Sequence, residues 1–156
     1  MSDRRQDLIA SAGWAMQAYQ RSTQAFDDAV GRALDLNATD LRCLDWLVEG
    51  PRSAGDLAML IDLSSAATTT LIDRLEEKGF VRRVRDAADR RRVMVEMTEA
   101  GLDRVHRCYG PLVAEGVGLL DGISTDQLEA MRDWLIAARE LTDRQRERLA
   151  GGPPIG

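Results

Sequence analysis

The apolar residues of this chain change their spacing once, and that change limits the folds open to it. As far as Gly79 they recur at intervals of three and four, the mark of helices with one buried face. After Phe80, Val81, Val84, Val93, Val95 and Met97 alternate with Arg82 or Arg83, Arg92, Met94 and Glu96, around a polar run from Arg85 to Arg91. A β-hairpin with a charged tip therefore interrupts an otherwise helical chain.

The helical segments can be placed from their end signals. From Asp3 to Leu34, the residues Leu8, Ala12, Ala15, Tyr19, Phe26, Val30 and Ala33 fall on one face. Such a helix is about 45 Å long, more than a domain of this size can cover, so much of its apolar stripe needs a second chain. Thr39 is the expected N-cap of a short helix with Leu41, Leu44, Leu47 and Val48 on one face, ending at Gly50-Pro51. Ser53-Ala54-Gly55-Asp56 has the form of a capping box ahead of Leu57, Leu60 and Ile61. Asp62-Leu63-Ser64 breaks that helix, and Ser64 caps another that runs to Lys78 and stops at Gly79. In this last helix Thr68, Leu71, Ile72 and Leu75 face inward, and Ser65, Ala66, Thr69, Thr70, Asp73 and Arg74 outward. Thr98 caps a long helix to about Leu120, which Gly110-Pro111 and the pair Gly116 and Gly118 should kink or interrupt. Ser124 and Gln127 box the start of a final helix carrying Leu128, Met131, Leu135, Ala138 and Leu141.

Composition narrows the function. The 156 residues are enough for one domain with a real core. Two cysteines without metal-ligand spacing and the absence of an apolar run long enough to span a bilayer point to a reducing, cytoplasmic location with no membrane partner. The net charge of −5 argues against indiscriminate binding to nucleic acid. Its distribution is uneven: between Lys78 and Met97 seven basic residues face three acidic ones, a local excess of four positive charges. His106 is the sole histidine, which excludes a multi-histidine metal site and leaves Ser/His/Asp chemistry without a spare base. No cofactor, metal or catalytic residue is expected.

Two adjacent short helices followed by a basic hairpin form a winged helix-turn-helix, which sets one helix in the major groove and the hairpin beside the backbone or in the minor groove. The chain is accordingly expected to be mainly α with a small β-hairpin wing, a winged helix-turn-helix flanked by N- and C-terminal helices. Ser64, at the N-terminus of the second short helix, offers main-chain N–H groups to a phosphate. Ser65, Thr69 and Thr70 can donate to phosphates or base edges, and Ala66 can meet a thymine methyl. Arg85, Arg90, Arg91 and Arg92 on the hairpin supply the salt-dependent term.

The stretch from Leu36 to Gly101 resembles the MarR family of bacterial winged-helix transcription regulators. Three motifs carry the resemblance: Gly55-Asp56-Leu57-Ala58 to Leu63-Ser64; Thr69 to Leu75 leading into Glu76-Glu77-Lys78-Gly79-Phe80-Val81; and the wing Asp89-Arg90-Arg91-Arg92-Val93 closing with Met97-Thr98-Glu99-Ala100-Gly101. The flanking helices match in arrangement only. The resemblance implies a single domain over 1–156, with a DNA-binding lobe at 36–98, helical dimerisation regions at 3–34 and 99–150 and a flexible tail at 151–156. It implies a homodimer on a palindromic double-stranded operator, usually repressing, and often released by a small aromatic or phenolic effector. It further implies that Asp89 pairs with Arg91, leaving Arg90 and Arg85 to reach DNA. Family members often carry a long polar residue on the exposed recognition face, where this chain has Ser65 and Thr70. Arg74 alone could make a bidentate contact with guanine, so specificity should lean on thymine methyls and groove shape.

Other residues admit more than one role. Trp14, Tyr19 and Trp46 can line an effector pocket or be ordinary core and interface residues. Cys43 fits a buried small hydrophobe, and Cys108 a more exposed position. The alternative to a DNA-binding regulator is a winged helix used as a protein-interaction module without specific DNA binding, with the acidic remainder of the chain as its binding feature.

Overall fold

Side-chain acceptors set the helix starts of this chain, because the first turn of a helix leaves four main-chain N–H groups without partners. The computed structural model describes residues 2–86, 89 and 91–152. Its elements are α1 (Ser2–Leu34), α2 (Ala38–Val48), β1 (Arg52–Ser53), α3 (Ala54–Ile61), α4 (Ser65–Glu77), β2 (Val81–Arg85), β3 (Val93–Met97), α5 (Glu99–Gly118) and α6 (Thr125–Gly151). Ser53, Ser64 and Ser124 cap α3, α4 and α6, the first and last in full capping boxes with Asp56 and Gln127. At α2 the cap is Asn37 rather than Thr39. Asn37 is extended (φ −89°, ψ 171°), whereas Thr39 already lies within the helix. The Oδ1 atom of Asn37 accepts the N–H groups of Thr39 and Asp40, both at 2.9 Å, and Asp40 Oδ2 accepts the Asn37 N–H at 3.0 Å.

Three helices end in one geometry. Asp35 (φ 55°), Asp62 (φ 56°) and Gly79 (φ 76°) take left-handed backbone. The next residue then donates back five positions: Leu36 to Gly31 at 2.8 Å, Leu63 to Ala58 at 2.9 Å and Phe80 to Leu75 at 2.9 Å. Each reversal turns the chain within a residue or two, which keeps α2, α3 and α4 packed about one centre.

The hairpin forms where the period changes. β2 and β3 pair antiparallel from Val81 opposite Met97 to Arg85 opposite Val93. A third strand escaped the sequence: β1 pairs with β3 through Arg52 opposite Val95 and Ser53 opposite Met94, giving the order β1-β3-β2. Two residues after Pro51 are too short to show an alternation. Val93 is exposed rather than inward, since it sits at the tip of the hairpin, opposite Arg85 and beyond the reach of the core.

The chain forms two compact units, Met1–Gly110 and Pro111–Gly156. The core of the first gathers Val30, Leu34 and Leu36, Cys43, Leu44 and Leu47, Leu57 and Ile61, Leu71, Ile72 and Leu75, with Phe80, Val81, Val95 and Val105. Val48, expected on the inward face of α2, is exposed; the buried face consists of Asp40, Cys43, Leu44 and Leu47. Along α1 the C-terminal half is packed and the N-terminal half is not, with Leu8, Ile9, Trp14 and Tyr19 exposed. In the second unit α6 has no buried residue, and Met131, Trp134, Leu135 and Leu141 are exposed. The division falls within α5, whose helical backbone continues through Pro111 and stops at Gly118. A proline removes one donor of the helical ladder, and here that loss does not end the helix.

Candidate nucleic-acid interface

The residues expected to meet DNA are gathered on α4 and the hairpin, and their partners divide them into groups. Thr68, Leu71, Ile72 and Leu75 fix α4 on the core, which leaves Ser65, Ala66, Thr69 and Thr70 as one exposed face. The Ser64 hydroxyl is taken by the cap, accepting the Ala67 N–H at 3.2 Å. Thr69 and Thr70 donate their hydroxyls to the carbonyls of Ser65 and Ala66, at 3.0 and 3.1 Å. With those hydrogens committed, the two oxygens act as acceptors toward a base edge, and the face carries no charge of its own until Asp73.

Arg74 stands apart from that face. Its Nη2 lies 2.5 Å from Oδ1 of Asp40 on α2, and its Nε is shielded from solvent without a hydrogen-bond partner. One turn later Lys78 binds the carboxylate of Asp35 at 2.7 Å and donates to the carbonyl of the same residue. Two ion pairs thus join the C-terminal half of α4 to the joint between α1 and α2.

The hairpin arginines are largely engaged within the protein. Arg82 pairs with Glu96 across the strands at 2.6 Å, and Arg83 bridges back to Asp73 at 2.5 Å and to Glu76. Arg83 is held above its ordinary pKa, by the Asp73 hydrogen bond first. Arg92 lies 3.9 Å from Asp56 at the start of α3. Arg85 and Arg91 are exposed, while Arg90 lies outside the described residues. Asp89 holds Arg91 through the main chain, with Oδ1 accepting the Arg91 N–H at 3.0 Å. The resemblance had implied a pairing of these two residues; the hydrogen bond observed belongs to the backbone of Arg91. Sequence reasoning named the arginines but not their carboxylates. For Arg83 the signal was present, because Asp73 and Glu76, three residues apart, share one side of α4.

A cavity of about 910 Å³ opens behind α4, lined by α1, α2, Tyr109 of α5 and, at the C-terminal end of α4, Arg74 and Lys78. Carboxylates of Asp27, Asp28 and Asp45 face it, as do Arg32 and Arg42. Tyr109 donates to Asp27 at 2.8 Å and packs edge-on against Phe26; burial first, then that hydrogen bond, pushes its pKa up. Asp45 is also raised, by burial and by the neighbouring charges of Glu49 and Asp27. None of Trp14, Tyr19 and Trp46 lines this cavity: Trp14 and Tyr19 are exposed on α1, and Trp46 packs against the core. The Cys43 thiol is buried and pushed up to about 12 by desolvation and by Asp40. Among the described residues no helix is long and apolar enough to cross a membrane.

Comparison with known proteins agrees with this geometry. Residues 36–93 match the family model described as MarR family. The HTH-type transcriptional regulator YcgE of Bacillus subtilis is 32% identical over 146 residues, covering 93% of this chain and 95% of its own. Among solved structures, the transcriptional regulator BldR from Sulfolobus solfataricus superposes with a TM-score of 0.55 at 27% identity, over 91% of this chain and 96% of that one. A MepR variant of S. aureus bound to an oligodeoxyribonucleotide has the same fold, with a TM-score of 0.57 at 19% identity over 83% of this chain and 96% of that one.

Proposed function

Because the chain belongs to the MarR family of DNA-binding, winged helix-turn-helix transcriptional regulators, we propose that it acts as a homodimeric repressor on a palindromic operator, relieved by a small ligand. The observation that carries the operator reading is the α4 face of Ser65, Ala66, Thr69 and Thr70, exposed and uncharged beside the hairpin that bears Arg85 and Arg91. This face reads base edges and thymine methyls in the major groove, while Arg85, Arg90 and Arg91 meet the backbone or the minor groove. Ser64 sets the N-terminus of α4 against a phosphate. Arg92 contributes to the same field at longer range, since Asp56 lies beside it.

A second copy is supported by α1. Its 33 residues span roughly 50 Å, and Leu8, Ile9, Trp14 and Tyr19 are exposed along it. Effector relief is supported by the cavity behind α4, where Arg32 and Arg42 can meet a carboxylate or phenolate and Tyr109 and Leu41 an aromatic ring. Trp14 and Tyr19 then belong to the surface that meets the partner, and Trp46 to the core.

The test is fluorescence anisotropy of DNA from immediately upstream of the gene, against scrambled competitor, over a range of salt. Saturation at two chains per duplex, resistance to competitor and a steep fall with salt are expected. Binding no tighter than to scrambled DNA, both here and for duplexes from an unbiased selection, would leave the winged helix as a protein-interaction module.

A further inference from the structure

Asp40 is 1% exposed, and its two oxygens serve two elements. Oδ2 closes the capping box that starts α2, and Oδ1 receives Arg74 from α4 at 2.5 Å. An ionised carboxylate this deep requires a cation or several hydrogen bonds, so Arg74 is the group that makes its burial tolerable. The guanidinium is correspondingly drawn toward α2, with its Nε shielded from solvent. Lys78 repeats the attachment one turn on, at Asp35. We propose that Arg74 is a positioning residue that acts on DNA only through Asp40, fixing the orientation of α4 relative to the joint of α1 and α2 instead of touching a base or a phosphate.

The inference rests on α4 being the recognition helix. Its consequence follows from the geometry of groove reading. Base-edge hydrogen bonds and methyl contacts tolerate little rotation of the helix that makes them, whereas phosphate attraction tolerates a good deal. Loosening the C-terminal half of α4 therefore removes discrimination first and leaves the salt-dependent attraction in place. A direct phosphate contact behaves in the opposite way, weakening all sequences alike and lowering the salt slope by about one.

The experiment uses the full chain as wild type, R74Q, D40N and the double variant. D40N keeps an oxygen to accept the Asn37 N–H but removes the charge that holds Arg74. Each is titrated with a duplex selected by the wild type and with a scrambled duplex, at several salt concentrations. Both single variants should lose about tenfold in affinity for the selected duplex and little for the scrambled one, with an unchanged salt slope. The double variant should be no worse than the weaker single variant, because the two residues act as one unit. R74K, which restores a cation without the fork, should recover part of the loss. The proposal is overturned if D40N binds like the wild type while R74Q loses a unit of salt slope or its preference at one G·C pair. Additive losses, or wild-type binding by both single variants, overturn it equally. Should R74Q fail to fold, D40N and R74K decide the matter by the same criteria. Failure of the wild type to prefer any duplex would instead refute the DNA-binding reading beneath it.

Discussion

Gly101 makes the packing of this fold testable at a single methyl group. It lies buried in the first turn of α5, against the residue that joins α4 to the hairpin. A Cβ built there falls 2.4 Å from the Phe80 carbonyl oxygen, 2.7 Å from its Cα and 2.9 Å from its carbonyl carbon. All three are backbone atoms, and that backbone is tied on both sides. The Phe80 N–H donates to Leu75 at 2.9 Å, its carbonyl accepts the Thr98 N–H at 2.9 Å, and Arg104 lies 4.0 Å from the centre of its ring. Overpacking of a rigid site costs about 1–3 kcal/mol, and the strapped backbone puts Gly101→Ala at the upper end. The better helix propensity of alanine returns up to about 1 kcal/mol, which leaves a net loss of roughly 2 kcal/mol. With a urea m-value of about 2 kcal/mol/M, the midpoint of unfolding should fall by about 1 M at fixed protein concentration. Gly55→Ala is the control, since the nearest atom to its new Cβ is Ser53 Oγ at 3.9 Å. Its midpoint should hold or rise slightly. A Gly101→Ala midpoint within about 0.2 M of the wild type, with an unchanged m-value, would refute the close approach of α5 to Phe80.

Three further outcomes follow from the same coordinates. Asp62→Gly should raise stability by about 0.5 kcal/mol in thermal or urea unfolding, because relief of a left-handed aspartate outweighs the chain entropy of glycine. Asp45→Asn should raise the melting temperature at neutral pH: the folded state lifts the Asp45 pKa, so ionisation opposes folding as pH rises through the carboxylate range. That gain should vanish below about pH 4, where the carboxyl is protonated in both states, and a pH series of melting curves checks it. Cys43 should resist iodoacetamide at pH 8 in the native protein and react only on unfolding, as peptide mapping by mass spectrometry would show, since burial keeps its thiol protonated.

The frame of the fold was legible in the sequence where local chemistry sets it. Ser53 with Asp56, Ser64, Gly79 and Ser124 with Gln127 each mark a helix end by hydrogen bonds made within a few residues. The hairpin announced itself through the change of period after Phe80. What stayed hidden depends on long-range placement. Asn37 displaced Thr39 as a cap because the left-handed turn at Asp35 delivers the chain extended at Asn37. β1 exists only because β3 offers it an edge. The same holds at the candidate site. The outward face of α4 could be read from its spacing, but the partner of Arg74 lies 34 residues away and that of Lys78 lies 43 away. No local pattern tells an arginine that reaches outward from one tied to a buried carboxylate. The cavity likewise forms from residues of four helices, and Trp14, Tyr19 and Trp46 are not among those that line it.

Hydroxyl-radical footprinting of the upstream DNA tests the central claim most directly, because it reads where the two recognition helices sit. Two protected major grooves, their centres about 10–10.5 base pairs apart on one face of the duplex and flanked by weaker wing protections, are the expected result. A single protected patch, or protection that persists unchanged on scrambled DNA, would contradict a dimer reading a palindrome through α4.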